Sequence, residues 1–125
     1  MPVRLPIMAA VVAFALTAFT ALSALAHHGW SWAEEENSEL TGVVESTSLG
    51  NPHGTVTLMV DGAAWEIEVG QPWRNERAGL SEENLSKGTE ITVQGHRSRA
   101  ANERRLKAER VIIDGKLHDL YPGRD

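Results

Sequence analysis

The feature that most constrains the fold is a pair of alternating segments on either side of Asp61-Gly62. Apolar residues take every second position before this pair (Val56, Leu58, Val60) and after it (Trp65, Ile67, Val69). Alternation with a period of two places the apolar side chains on one face of a strand. Asp-Gly is favoured in the type I′ turns that join antiparallel strands. The segment therefore predicts a β-hairpin, and it commits the chain to a sheet-based fold.

Other strands are predicted around this hairpin. They cover residues 40–49, ending at the turn Asn51-Pro52-His53-Gly54, then residues 91–94, residues 106–113 and a short tail strand after Asp114-Gly115. The alternation in 106–113 slips, so we expect a β-bulge near Glu109-Arg110. Ser81 followed by two glutamates is a typical N-cap signal, which predicts one short helix over residues 81–87 that ends at Gly88.

The order β-β-β-α-β-β over about eighty residues predicts an all-β fold with one short helix. It is the order of an OB-fold, a five-stranded Greek-key barrel with its helix between the third and fourth strands. Closing the sheet also removes exposed strand edges. A small β-sandwich with one helix is the alternative architecture.

The N-terminus has the order of a secretory signal peptide. Arg4 precedes an apolar run from Ile7 to Leu22, and small residues follow up to Ala26. This order predicts cleavage before His27 and export to a bacterial periplasm, with no membrane span after cleavage. The alternative, an uncleaved anchor, is disfavoured because the run is short of the ~20 residues that span a bilayer. Residues 27–39 lack an apolar period, so the predicted organisation is signal peptide 1–26, flexible arm 27–39 and barrel 40–125.

Composition excludes several functional classes. The chain has no cysteine, which rules out disulfides, thiolate metal sites and cysteine nucleophiles. Removing residues 1–26 takes away one basic residue and no acidic residue, so the net charge changes from −5 to −6. This acidic balance and the expected export argue against nucleic acid as a partner.

Several short motifs resemble those of a known family. They are His27-His28-Gly29, Thr41-Gly42-Val43-Val44, Asn51-Pro52-His53 and the strand Gly88–Gly95. The chain is similar to a family of small exported bacterial proteins of unknown function, whose members begin with His-His after the signal peptide. The resemblance implies a periplasmic OB-like domain and no established activity.

The histidines carry the most specific chemical hypothesis. Cleavage before His27 would leave a free α-amine that can chelate a metal together with the His27 ring, or through the following amide with the His28 ring. Amine and imidazole nitrogens in tetragonal geometry favour Cu(II). In the predicted barrel, His53 and His96 lie in or beside the two loops that flank the ligand-binding face of OB-folds. We therefore predict His27, His28, His53 and His96 as metal ligands; the alternative is a solvated arm and two ordinary loop histidines.

A basic segment gives a second hypothesis. Residues 97–110 contain six basic residues, of which Arg97, Arg99, Arg104 and Arg105 are predicted to bind an anionic ligand, an envelope protein partner or the arm's own glutamates. The alternative is a solvated charged loop.

Catalysis is not predicted. The chain has no nucleotide-binding loop and no HExxH motif, and alternation places the carboxylates of Glu66 and Glu68 on the solvent face of a strand. Trp65 is expected in the core, and Trp73 is expected to cap the open end of the barrel. Trp30 and Trp32 are expected to lie against one β-surface and so to dock the arm. The prediction is a periplasmic binding module, with Cu(II) as its ligand or, alternatively, a non-metal partner of the basic segment.

Overall fold

The computed structural model describes residues 29–124. The chain divides into two compact units between Ser31 and Trp32. Of the first unit, residues 29–31 are described, and they form a turn. The predicted signal peptide and the two N-terminal histidines, His27 and His28, lie outside the described residues.

The second unit is built from strands and one helix. The elements described are β1 (Ser38–Ser48), β2 (Thr55–Val60), β3 (Ala63–Glu68), α1 (Pro72–Ala78), β4 (Glu90–Arg97), β5 (Arg105–Ile113) and β6 (Lys116–Asp119). The predicted fold class is confirmed, because the protein is mostly β with one short helix.

Five strands close into a barrel. The strand order is β3-β2-β1-β4-β5-β6, and neighbouring strands in this order are antiparallel. A further parallel pairing joins β3 to β5 and closes the ring, while β6 extends β5 on the far side. The long strand β1 joins the β2–β3 hairpin to the β4–β5 pair, since its first part pairs with β4 and its second part pairs with β2. This is the topology of an OB-like barrel.

The barrel interior is apolar and drawn from every barrel strand. Its fully buried residues include Val44, Leu58, Ile67, Val93 and Leu106. Trp65 packs half-buried against this core. Burying such side chains is the main stabilising contribution in a domain of this size.

Two local predictions about the strands are confirmed. Asp61 and Gly62 both have positive φ, at 49° and 80°, as a type I′ turn requires. In the β4–β5 pair, Gln94 lies opposite Arg110 and the next residue, Gly95, lies opposite Ala108. Glu109 is therefore the extra residue of a β-bulge, at the position where the alternation slipped.

The predicted position of the helix is wrong. The helix spans Pro72–Ala78, and Gly79 ends it in the left-handed conformation with φ of 84°. Ser81 and Asn84 instead bond each other's backbone N–H through their side chains. These bonds hold a single turn, in which the Leu85 N–H donates to the Ser81 carbonyl at 3.1 Å, and the turn is not continued as a helix.

Part of the predicted arm lies on the barrel. Ala33 is 3% exposed and forms an isolated bridge with Ser98. The backbone N–H of Glu34 donates to the carbonyl of Arg97 at 2.8 Å. β1 begins at Ser38, two residues before the predicted start of the barrel. Within residues 29–124, no helix has the length and apolar character needed to cross a bilayer.

Gly95 is expected to be indispensable, because the β5 backbone approaches it opposite the bulge. A Cβ atom at this position would collide with the carbonyl oxygen of Lys107. We expect Gly95→Ala to lower the free energy of unfolding by about 1–3 kcal/mol, measured by urea denaturation. Gly50→Ala is the control, since open space surrounds Gly50; equal stability of the two variants would contradict the close approach.

Candidate functional site

Three basic or titratable side chains surround one carboxylate, that of Glu68, at the edge of the barrel. We call His53, Glu68, Arg105 and Lys107 the rim cluster. Glu68 Oε1 lies 3.5 Å from His53 Nδ1, while its Oε2 lies 3.2 Å from Lys107 Nζ and 3.9 Å from Arg105 Nη2. The Glu68 side chain is 13% exposed. It is not the solvent-facing carboxylate that the alternation predicted.

Strand register brings these residues together. The parallel β3–β5 pairing places Glu68 opposite Lys107 and Glu66 opposite Arg105. In the hairpin, Glu68 lies opposite Thr55, which begins β2 just after the loop that carries His53. The rim cluster is therefore a direct consequence of the contact that closes the barrel.

Lys107 is buried to an unusual degree for a lysine, with 2% of its surface exposed. Burial lowers the pKa of Lys107, because removing the ammonium from water disfavours its charged form. The carboxylate of Glu68 opposes this shift through charge attraction and a hydrogen bond. The ion pair with Glu68 therefore favours the charged form of this buried lysine.

Trp32 covers the rim cluster from the arm. The guanidinium of Arg105 stacks 3.7 Å from the centre of the Trp32 ring. The Trp32 carbonyl accepts a hydrogen bond from the backbone N–H of Arg99 at 2.9 Å. Arg105 also pairs with Glu66 at 3.3 Å and with Glu103 at 3.8 Å. The expectation that Trp32 docks on the β-surface is met by this stacking contact.

Fewer arginines of the basic segment, residues 97–110, can bind a partner than its composition suggested. Arg105 is held by three carboxylates and by Trp32, and Arg97 stacks 5.1 Å from the centre of the Trp65 ring. Arg99 and Arg104 are exposed. Arg104 forms no ion pair within the described residues, which leaves it as the clearest candidate contact for a partner.

His96 lies in a buried environment of its own. It is 3% exposed, its Nδ1 lies 3.0 Å from the carbonyl oxygen of Glu36, and its Nε2 contacts the carboxylate of Glu109. Glu109 is fully buried and also pairs with Arg110 at 3.4 Å and Arg124 at 3.3 Å. Both ring nitrogens of His96 therefore have protein partners.

The two predicted barrel histidines, His53 and His96, differ in exposure and in their contacts. His53 is 31% exposed at its side chain, and Nδ1 faces Glu68. The His96 ring contacts Glu109, so the two histidines face different carboxylates. Among residues 29–124, no three His, Asp or Glu side chains are arranged to hold a metal ion.

The rim cluster and the Glu109 environment were missed by sequence reasoning. Glu68, Lys107 and Glu109 each alternate with apolar residues and so carry the pattern of a solvent-exposed face. The available signal was the slip near Glu109, which marked that stretch of β5 as irregular. Burial of the outer face comes from the arm and the chain's C-terminal residues, which the strand pattern does not report.

One family model matches most of the chain. It is described as a family of unknown function, and the match spans residues 15–107. The chain belongs to the DUF6152 family. A comparison of this DUF6152 member with curated proteins finds no match.

Solved structures resemble the DUF6152 chain at low sequence identity. One is TiaS in complex with a tRNA and ATP, with 16% identity, a TM-score of 0.48, and coverage of 62% of this chain and 18% of that chain. Another is the S. pombe Stn1–Ten1 complex, with 14% identity, a TM-score of 0.48, and coverage of 62% and 57%. A ZRD-deleted mutant of TiaS with agmatine gives 18% identity, a TM-score of 0.48, and coverage of 70% and 25%. The chain spans less than two thirds of the length of each.

Burial of Lys107 should make the stability of this DUF6152 protein depend on alkaline pH. Since the pKa of Lys107 is lowered from 10.5, the unfolded chain binds more protons than the folded chain as pH approaches that value. The free energy of unfolding should therefore rise with pH over the alkaline range up to about pH 10. Lys107→Met should remove the rise, as followed by urea denaturation across this range.

The matched control is Lys87→Met, because Lys87 is 75% exposed at its side chain. The range stops at about pH 10 because burial raises the pKa of Tyr121 above its usual 10.0, which acts with the opposite sign at higher pH. A rise of the same slope in Lys107→Met would show that another group is responsible.

The two histidines should differ in their effect on stability. We expect His96→Ala to lower the free energy of unfolding by about 1–3 kcal/mol, because it removes two contacts of a buried ring, one with the Glu109 carboxylate and one with the Glu36 carbonyl. His53→Ala removes one partly exposed contact with Glu68 and should cost less than about 1 kcal/mol. Thermal or urea unfolding measures both, and a larger loss for His53→Ala would overturn this assignment.

Proposed function

We propose that this protein is an exported binding module, not an enzyme, and that its ligand is Cu(II). The binding group is the mature N-terminus, where the α-amine and the rings of His27 and His28 supply adjacent nitrogen donors. Amine, amide and imidazole nitrogens are the donors that Cu(II) prefers in tetragonal geometry. Support for export comes from the signal-like order of residues 1–26.

The observation that carries the metal proposal into the barrel is the orientation of His53. Metal-binding histidines characteristically direct one ring nitrogen to a carboxylate, which holds the ring and leaves the other nitrogen as the donor. His53 Nδ1 faces Glu68 Oε1 at 3.5 Å. Its Nε2 has no hydrogen-bond partner within the described residues, and the side chain is 31% exposed. His53 is thus prepared in the manner of an imidazole ligand.

Glu68 can support His53 because its two oxygens have separate partners. Lys107 and Arg105 both face Oε2, while Oε1 faces His53. The carboxylate therefore retains an acceptor for His53 even when both cations are in place. Such a carboxylate raises the basicity of the ring nitrogen that binds the metal.

His96 is left out of the proposed ligand set. Its two ring nitrogens contact the Glu36 carbonyl and the Glu109 carboxylate, and 3% of its surface is exposed. Metal binding at His96 would require breaking a buried contact and leaving Glu109 short of a partner, which costs several kcal/mol by typical values. His96 is better explained as a structural residue.

A copper titration of the processed protein tests the proposal. Mass spectrometry first confirms a chain that begins at His27; a second form carries one extra N-terminal residue. We expect one-to-one Cu(II) binding with nitrogen ligation by electron paramagnetic resonance, lost in the extended form. His53→Ala should weaken binding at least ~10-fold and Glu68→Gln less, as typical for ligand and supporting residues.

The matched control is His118→Ala, because His118 is buried and its Nδ1 bonds the carbonyl of Ala78 at 2.8 Å. Loss on extension without an effect of His53→Ala would restrict the site to the N-terminus. Binding no tighter than that of a synthetic peptide starting His-His-Gly would overturn the copper proposal. A partner of the basic segment would then be sought with charge reversal at Arg104.

A further inference from the structure

A second surface, remote in sequence from the proposed metal ligands, combines aromatic rings with arginines. We call Trp73, Arg74, Arg77, Tyr121 and Arg124 the helix patch. The guanidinium of Arg74 is sandwiched between two rings, 4.5 Å from the centre of Trp73 and 4.2 Å from the centre of Tyr121. Arg77 lies over the same Trp73 ring at 5.2 Å. The result is a continuous stack of alternating cations and rings along α1.

Within the described residues, no carboxylate neutralises the two arginines of α1, Arg74 and Arg77. Arg74 Nη1 and Arg77 Nη2 both donate to the carbonyl of Leu120, at 2.9 and 3.4 Å. Arg74 Nε donates to the side-chain oxygen of Gln71. Neither arginine forms an ion pair with a carboxylate in the described residues, although Glu76 lies on the same helix. Arg105 and Lys107, in contrast, both meet Glu68.

Trp73 is exposed at the centre of this charge. It is 54% exposed and does not cap the barrel, as its position after Pro72 had suggested. Tryptophan is a costly residue to leave in water, and beside arginines it is characteristic of surfaces that meet the polar boundary of a membrane. An arginine held between two rings is also pre-ordered, which reduces the entropy lost when it binds an anion.

The shape of the helix patch favours an extended anionic surface over one small anion. A shallow depression of about 520 Å³ lies among the patch, lined by Arg74, Arg77, Tyr121, Pro122, Gly123 and Arg124. Its polar donors are long side chains along one side of a helix, and two of them already share the Leu120 carbonyl. An enclosed site for a single anion would instead need several donors converging on one point.

We propose that the helix patch binds the phosphate head groups of an anionic lipid bilayer. Trp73 enters the interfacial layer, while Arg74 and Arg77 pair with the phosphates around it. Arg124, which also pairs with the buried Glu109 at 3.3 Å, lies at the margin of the contact. This proposal does not depend on copper, because the rim cluster and the N-terminal histidines take no part in it.

Vesicle binding by the processed protein, beginning at His27, tests this surface. The probes are vesicles of phosphatidylcholine alone and vesicles that also contain phosphatidylglycerol, with binding measured by co-sedimentation. We expect binding to the anionic vesicles and its loss at high salt. Arg77→Gln should weaken binding about fivefold, as expected for one basic residue near an anionic surface, and Trp73→Ala should weaken it further.

The matched control is Arg104→Gln, which removes one exposed arginine without an ion pair in the described residues from the basic segment. It should bind vesicles like the unaltered protein, and circular dichroism should show that all variants are folded. Binding that Arg104→Gln weakens as much as Arg77→Gln would overturn the assignment of the surface. Equal competition by free inorganic phosphate at concentrations matching the lipid phosphate would instead identify a soluble oxyanion as the ligand and also overturn it.

Discussion

The parallel contact between β3 and β5 is the interaction on which the rest of the structure depends. Without it the strands would form an open sheet with an unpaired β3 edge; with it they close into a barrel. The same short register places Glu66 and Glu68 opposite Arg105 and Lys107. Two acids opposite two bases favour this register over a one-residue slip, which would set the charges against apolar residues. The same strand pairing therefore both closes the barrel and assembles the rim cluster.

Segments that flank the barrel in sequence explain why charge is buried on its outer face. The outer face of β5 carries Lys107 and Glu109, and neither is exposed by more than 2%. The arm covers one side, where the Glu36 carbonyl meets His96, and the C-terminal segment covers the other, where the Leu120 N–H bonds the Glu109 carbonyl. Buried charges add little net stability, but they strongly penalise arrangements that leave a partner missing. We infer that this polar layer fixes where the two terminal segments lie.

Features of the fold could be predicted from the sequence where a local pattern is compatible with only one structure. The Asp61-Gly62 turn and the Glu109 bulge followed from turn chemistry and strand period, and the order of elements was enough to indicate the barrel. The predicted position of the helix was wrong because two helix-start signals lie within a few residues of each other. One is Pro72, followed by a glycine stop at Gly79, and the other is the Ser81 cap. The earlier segment is held from outside the helix, since the Asn75 side chain bonds both backbone groups of Gly70 and Arg74 donates to the distant Leu120 carbonyl. No pattern within the helix reports those contacts.

The same limit applies to the candidate sites, because charge and donor capacity depend on neighbours from distant strands. Residues 97–110 look like the basic surface of the chain, yet Arg105, Lys107 and Arg110 each meet a carboxylate. The sequence pattern did not single out Arg74 and Arg77 of α1. Within the described residues, however, these two arginines have no carboxylate partner. His53 and His96 likewise cannot be told apart from the sequence. In the structure, His53 has a contact at Nδ1, so its Nε2 can still bind a metal, whereas both ring nitrogens of His96 have protein partners. The candidate sites of this small barrel therefore depend on which neighbours the fold places beside each histidine and arginine, more than on which residue types the chain contains.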